Sequence, residues 1–471
     1  MNTRVYRFDP LDRAVLFGRT RNELIAIAVG GTAWLASTIT RAAPLPGLVV
    51  LSACVAVSLA PVGRGSVVGW WPTWFGWFIR DRRQRRWYRP LNLATATSDV
   101  QPELPPWLAG LSIINNPGGG AGIADRSAGT LTRVMSCSGR GFGLRTESEI
   151  DWLLGGWGKV FDTPATGLPP ARISWSLISR PSRPVDHARW TDGRGGTEYT
   201  DYLDGFTGAD HQIVITVTIV AGKNTEAGWQ QSFDRLTTAT STVTAAFDDA
   251  GLDHTLCGAT DIARLVRDGL DPTTTVSASC GTLVHRLGLI PVGEAGPMFT
   301  ELTADRVRVD GAVHRTFWVS SWPEQAQHAD WFTTITASEL DGALQRTVTV
   351  IIEPITAARA MAEVGRDITR NGADAAAAAE GHGRIDARSR VKAIAAHGRD
   401  EELAAGYTAV AYAGFVTVTA TSDIALNEAC AAVVNRFGRT RVELRQFWGR
   451  MGQALAAGLP LGCGIARTEP G

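Results

Sequence analysis

Hydrophobic positions divide the chain into two regimes. From Leu24 to Thr40 the run LIAIAVGGTAWLASTIT carries no charge, and from Ala42 to Gly63 a second uncharged run is centred on LVVLSACVAVSLAP. Arg41 and Pro44-Leu45-Pro46-Gly47 separate the two as a tight turn. A helix of the first run's length reaches about 25 Å, a little short of the ~30 Å hydrocarbon core. Two such runs side by side predict a transmembrane helical hairpin that enters and returns. Two other readings compete: a cleaved signal peptide, which would explain one run but not the second directly behind it, and a buried soluble helical hairpin.

Past the proline-punctuated linker Gln101–Trp107 (QPELPPW) the pattern alternates between strand and helix. Thr130–Cys137, Arg172–Ser179 (RISWSLIS) and Gln212–Ala221 (QIVITVTIVA) read as strands, the last strongly β-branched. Helices are expected at about Glu147–Phe161 and Thr225–Ala250. The second half repeats the theme, with strands at Arg315–Ser321, Arg346–Ile352, Gly414–Thr421 and Arg441–Leu444. Its helical stretches run from about Ile355 to Ala405, broken near Gly381-His382-Gly383, then Ile424–Arg436 and Arg445–Ala456. No short-period repeat stands out. These elements predict a membrane-anchored α+β protein: residues 1–94 as hairpin and interfacial helix, then α+β subdomains over 97–290 and 291–471. A ferredoxin-like plan would suit each subdomain, and the long helical hairpin has an Ala-rich tip, ADAAAAAEG.

Arginine placement sets the expected orientation. Arg4, Arg7, Arg13, Arg19 and Arg21 precede the first run, Arg41 alone lies between the runs, and seven more follow from Arg64 to Arg89. The positive-inside rule then puts both termini in the cytoplasm, with the anchor in the inner membrane. Behind the second run, VVGWWPTWFGWFIRDRRQRRWYRP concentrates Trp70, Trp71, Trp74 and Trp77 ahead of Arg80, Arg82, Arg83, Arg85 and Arg86. Indole rings favour the membrane–water interface and arginines the anionic headgroups, so these nine residues are the candidate membrane-interface site. Single-stranded nucleic acid is the competing partner for aromatics beside arginines.

Composition narrows the chemistry. The chain has 471 residues and zero formal net charge, so it is no polyanion binder as a whole. Only Lys159, Lys223 and Lys392 are lysines among 46 basic residues, which reads as a GC-rich genome's arginine bias. Its six cysteines, Cys54, Cys137, Cys257, Cys280, Cys430 and Cys463, form no C-x-x-C pair, and neither they nor the scattered histidines show zinc spacing. The nearest approach to a phosphate loop, Gly155-Gly156-Trp157-Gly158-Lys159-Val160, lacks the first glycine and has Val160 where a hydroxyl should follow the lysine. Asn116-Pro117-Gly118-Gly119-Gly120-Ala121-Gly122 reads as a loop, and Asp201/Asp204 and Asp400-Glu401-Glu402 read as solvated faces. No catalytic residue, cofactor or metal is expected, and the chain reads as a non-enzyme.

Several segments resemble a known family. Tyr6-Arg7-Phe8, Leu16-Phe17-Gly18, Gly63-Arg64-Gly65 and Gly122–Leu131 (GIADRSAGTL) resemble membrane proteins of actinobacterial conjugative and type IV secretion clusters, in which a PrgI-like two-span anchor joins a soluble region. The C-terminal LRQFWGRMGQALAAGLPLG is similar to the end of the N-terminal region of type IV secretion ATPases. The given sequence stops at Gly471 without a nucleotide-binding domain, so the resemblance implies a separate ATPase as partner. It also implies a non-enzymatic inner-membrane scaffold of a secretion or conjugation machine. Such a scaffold would be oligomeric in the assembled machine, in contact with the lipid bilayer and other inner-membrane subunits, and would meet nucleic acid only indirectly. The EccE-type component of type VII secretion has a comparable plan, and a membrane-tethered enzyme with an unrecognised site is the alternative from another class.

Overall fold

The computed structural model describes residues 101–138 apart from 116–119, then 172–181, 208–221, 226–273, 292–323, 342–355, 357–379, 387–405 and 409–465. It also describes 5–6, 21–39, 44–59, 61–62, 65–66, 71, 74–79, 87–88, a few positions between 146 and 160, Ile335 and Leu340. The N-terminal elements are strand β1 (Val5–Tyr6), helices α1 (Arg21–Ile39) and α2 (Pro44–Leu59), and the two-residue strands β2 (Pro61–Val62), β3 (Gly65–Ser66) and β4 (Trp87–Tyr88). Helices α1 and α2 pack on each other closely enough that a Cβ at Gly30 would press on Leu51 and Cys54, and one at Gly47 on Trp34 and Ser37.

The transmembrane reading of this hairpin is overturned. Among the described residues no helix is long and apolar enough to cross a membrane. The first turn of α1 is Arg21-Asn22-Glu23, so its apolar part starts at Leu24, and α2 has only 16 residues. A helix of that length rises about 24 Å, short of a ~30 Å core. The inner-membrane anchor, and the topology inferred from it, lose their support with the span.

An antiparallel sheet of 13 strands organises the rest. Strands β5 (Leu111–Asn115), β6 (Ala121–Asp125), β7 (Thr130–Ser138), β8 (Arg172–Pro181) and β9 (Ala209–Val220) are followed by α3 (Glu226–Asp249), β10 (Asp253–Leu256) and α4 (Ala259–Leu270). The same order then recurs. Strands β11 (Thr300–Leu302), β12 (Val307–Val309), β13 (Ala312–Ser321) and β14 (Gln345–Pro354) precede an added pair of helices, α5 (Ala357–Ala379) and α6 (Ala387–Ala404). Strand β15 (Val410–Ala420), α7 (Asp423–Arg439), β16 (Glu443–Gln446) and α8 (Met451–Gly458) complete the second half. Strand β17 (Gly464–Ile465) returns to pair with β1 in parallel, and β4 pairs with β11.

The two halves are copies of one design. β7 pairs with β6, β9 and β10 as β13 pairs with β12, β15 and β16, and β8 pairs with β9 as β14 pairs with β15. They join where β8 meets β14 in a palindromic register: Ile173 faces Ile352, Ser179 faces Arg346, and Ser176 faces Thr349 at the centre. An approximate two-fold axis therefore passes through the Ser176–Thr349 hydroxyl pair, 3.0 Å apart. Helices α3 and α7 match too. Leu236, Val243 and Phe247 fill one core as Leu426, Val433 and Phe437 fill the other. Each helix ends in a left-handed residue, Gly251 (φ 64°) or Arg441 (φ 60°). The next amide, of Leu252 or Val442, donates back to the carbonyl of Phe247 or Phe437. One continuous sheet thus replaces the pair of ferredoxin-like subdomains expected from the pattern.

Alternation along the strands puts α3 and α7 on one face and α4 and α8 on the other. On β9, Ile215, Val217 and Ile219 pack toward α3, while Val214 packs among residues of α4 and α8. The β5 edge is closed by a side chain. Gln101 donates its amide to the Ile113 carbonyl and accepts from the Ile113 amide, both at 2.8 Å, as a further strand residue would.

Candidate functional site

The α4/α8 face of the sheet is polar at its centre, which is unusual for a layer this deeply covered. The sequences SWS, ITVTI, RTVTV and VTVTA place a hydroxyl at every second position, and these side chains share one face. They satisfy each other across strands: Thr132 with Thr218 at 2.9 Å, Ser174 with Thr216 at 2.5 Å, and Thr316 with Thr417 at 3.0 Å. At the seam ends, Arg180 donates to Gln345 at 2.7 Å and Arg172 lies 3.8 Å from Glu353, two pairs related by the two-fold. The C-terminal segment covers this layer. Gly458 accepts from the Thr349 hydroxyl at 2.7 Å and Gly462 accepts from Arg172 at 3.3 Å.

His314 is the titratable member of the layer and lies fully buried. It occupies the position that Thr132 holds in the other half, and it pairs with Thr419 at 2.9 Å as Thr132 pairs with Thr218. Its other nitrogen meets the Leu270 carbonyl at 2.7 Å, so Nε2 carries the proton and Nδ1 accepts from the Thr419 hydroxyl. Burial lowers its pKa to about 4, although the Leu270 carbonyl and the Asp271 charge pull the other way. A neutral, doubly bonded imidazole at 0 % exposure is a packing group with no route to a substrate. The cysteines are similar: burial pushes the Cys137 thiol up to about 12 and those of Cys257 and Cys430 up to about 11. Among the described residues no group of His, Cys, Asp and Glu could hold a metal ion.

Buried arginines recur at matched positions. Arg133 donates to the Ala121 carbonyl at 3.2 Å, and Arg315 donates to the carbonyl of Asp305, the equivalent residue of the second half, at 3.3 Å. The second half adds charge there. Asp305 holds Arg315 at 2.8 Å and Arg306 at 3.0 Å, while Asp423, in the first turn of α7, holds Arg306 at 2.9 Å and Arg308 at 3.2 Å. Burial alone would raise the Asp305 carboxyl, but the Arg306 bond and charge, the Thr303 hydroxyl and Arg315 outweigh it and hold it low. This network pins the β11–β12 turn to the start of α7.

The larger departure from symmetry is the α5–α6 arm. It occupies the connection between β14 and β15, residues 355–409, whereas the matching connection between β8 and β9 is residues 182–208. Ala360, Val364 and Ala396 are buried, and Arg399 reaches Asp367 across the pair at 3.1 Å. Its exposed positions mix small residues with charged ones such as Arg366, Asp367 and Arg399. A Cβ at Gly365, Gly372 or Gly398 would meet nothing within 4 Å, while Met361 and Ile394 are exposed. Each helical glycine costs about 1 kcal/mol relative to alanine, and the arm's own packing does not use the space they leave. Asp400, Glu401 and Glu402 lie exposed at the end of α6.

Of the nine residues expected at a membrane interface, Trp70, Arg80, Arg82, Arg83, Arg85 and Arg86 lie outside the described residues. Trp71, Trp74 and Trp77 belong to a short helical stretch. There Trp71 stacks on Phe75 and Trp74 on Phe78, with ring centroids 6.3 and 5.7 Å apart. Their assignment to a bilayer rested on a preceding span, and with no spanning helix among the described residues that ground is gone. What remains is an exposed ladder of rings. Gly158, Lys159, Asp201 and Asp204 also fall outside the described residues, and Gly155 to Trp157 are helical. Sequence reasoning missed the hydroxyl layer and the role of His314, although the T-x-T alternation was a signal for both. Comparison with known proteins assigns no family: no family model matches the chain, and no curated protein matches it.

Proposed function

We propose that this protein is a non-enzymatic scaffold subunit of a secretion or conjugation machine and that its α5–α6 arm docks a separate ATPase. The observation that carries the reading is the arm itself, two helices in a connection of residues 355–409 whose counterpart in the other half is the shorter 182–208. Its helical glycines leave open space on the outside, where a partner helix can come close. The resemblance of 444–462, which form β16, α8 and the covering segment, to the region preceding a secretion ATPase's motor domain supplies the partner class. The body serves as a rigid mount, since its polar groups are spent on internal pairing.

The full chain is expected to co-purify with the ATPase encoded beside it and to release no phosphate from ATP above a buffer control. Removing Gly372–Arg384 takes away the last eight residues of α5 and the five that follow, and leaves α6 whole. That variant is expected to keep the parent's circular dichroism and thermal unfolding while losing at least tenfold in affinity. ATP hydrolysis by the full chain would overturn the non-enzymatic reading, and an undiminished complex would remove the arm as the docking element.

A further inference from the structure

Two strands of the sheet keep an open side. Among the described residues β10 pairs with β7 alone and β16 with β13 alone, and the two occupy matched places in the halves. The Cys257 amide donates to the Val134 carbonyl of β7 at 3.0 Å, so by alternation His254 and Leu256 turn their backbone groups away from β7. Leu444 and Gln446 hold the matching positions on β16. Such a row of backbone donors and acceptors is a template for a further strand. Charge separates the two edges. Residues 248–256 carry Asp248, Asp249 and Asp253, all exposed, and no Lys or Arg. The matching residues 438–446 carry Arg439, Arg441 and Arg445, also exposed, against Glu443. Asp249 stands where the second half has Arg439, and Thr255 where it has Arg445. Asp249, Asp253, Arg439 and Arg445 enter no ion pair among the described residues.

We infer that the acidic β10 edge of one copy takes the basic β16 edge of another, continuing the sheet from chain to chain. Charge complementarity selects this pairing, because self-pairing of either edge sets like net charge together. With the strands antiparallel and Leu444 opposite His254, Asp253 falls across from Arg445 as a direct cross-strand pair. The next pair on that face is Thr255 with Glu443, so no like charges meet along the ladder. Asp249 and Arg439 end α3 and α7 beside the two edges and add to the same attraction. Each contact leaves one acidic and one basic edge open, so the arrangement is heterologous and adds further copies. A ladder of four residues a strand is small, so the association is weak and falls with salt. The pairing does not rest on the arm, which leaves the sheet from β14 and β15.

The test is the weight-average mass of the full chain by light scattering and sedimentation velocity across the micromolar range, at low and high salt. The parent's mass is expected to rise past that of a dimer with concentration and to fall as salt is added. Asp249→Arg with Asp253→Arg makes both edges basic, and Arg439→Asp with Arg445→Asp makes both acidic. Each of these variants is expected to associate at least about tenfold more weakly than the parent. The chain with all four changes has the charges exchanged between the edges, and it is expected to regain the parent's association. Hydrogen exchange reads the ladder itself, with the amides of His254 and Leu444 slowing as the parent associates. Far-UV circular dichroism and the thermal transition establish that each variant is folded. A parent that stays monomeric, an association untouched by either pair of reversals, or a four-change chain that fails to recover overturns the inference. So does a loss confined to the Arg439 and Arg445 reversals, which would make the contact a self-pairing of β16.

Discussion

Replacing His314 with threonine should make the body less sensitive to acid, even though it removes a fully buried side chain. The parent's imidazole is neutral in the fold, with a pKa lowered by burial to about 4 from an ordinary value of 6.5. The unfolded chain therefore takes up a proton as pH falls below 6.5, while the folded chain does not until about 4. This contribution to stability is complete above pH 6.5 and is lost progressively down to 4. At about 1.4 kcal/mol per unit of pKa difference, the loss over that window is about 3 kcal/mol. Threonine is the residue the other half uses, where Thr132 and Thr218 hold each other directly. The variant gives up the Leu270 carbonyl bond and some volume, so near neutrality it should be about 2 kcal/mol less stable than the parent. Urea unfolding followed by tryptophan fluorescence at about pH 7.5 and about pH 4.5 separates the two effects, because the variant's midpoint should move little while the parent's falls steeply. Equal acid slopes in both chains would show that the lability lies elsewhere, with the low-held Asp305 carboxyl the next group to examine.

The elements were far more legible than their assembly. Long strands such as β8, β9, β14 and β15 announced themselves through β-branched runs, and α3, α5, α6 and α7 through helical spacing with glycine or proline at their ends. The strands that were missed are short: β5, β6, β10, β11 and β12 have three to five residues each, too few for a period-two pattern to show. Helix α4 was missed although its Gly258 cap and Asp261, which accepts from the Gly258 amide at 2.9 Å, form a start signal. The duplication left one readable trace. Leu236, Ala239, Val243 and Phe247 have the same spacing as Leu426, Ala429, Val433 and Phe437. The trace is faint because only buried positions were kept. What the sequence could not reveal is the palindromic seam, since the β8–β14 pairing depends on contacts between residues more than 160 positions apart.

The N-terminal hairpin shows the opposite failure, in which a strong local signal led too far. Apolar runs specify that something must cover a helix, and they do not specify what. Length is the discriminating quantity, and it is set by where α1 and α2 begin and end, which a run of uncharged residues does not define. The same limit applies to the arm. Its alanines and glycines predict a helical pair, but only comparison with the matched half shows that this connection is the longer one, residues 355–409 against 182–208.

Alanine at Gly462 should cost about 3 kcal/mol, against about 1 kcal/mol for alanine at Gly129. Both glycines are left-handed, with φ 69° and 63°, so each substitution carries the same backbone penalty. They differ in what a Cβ would meet. At Gly129 there is nothing within 4 Å, whereas at Gly462 the new carbon would run into the hydroxyls of Thr132 and Thr218. Those hydroxyls cannot easily turn away, because they are buried and bonded to each other. The backbone of Gly462 is fixed on its other side by the bond from Arg172. The segment from Gly458 to Gly462 thus joins the halves, touching Thr417 and Thr349 of the second at one end and Thr132 and Thr218 of the first at the other. If that close approach is the cause, Thr132→Ala should relieve part of it. The double variant Thr132→Ala with Gly462→Ala should then be more stable than the two single losses added together, a coupling of about 1 kcal/mol in a urea-unfolding cycle. Equal losses at Gly129 and Gly462, or strict additivity with Thr132→Ala, would mean that the crossing segment yields to the extra carbon and does not clamp the hydroxyl layer.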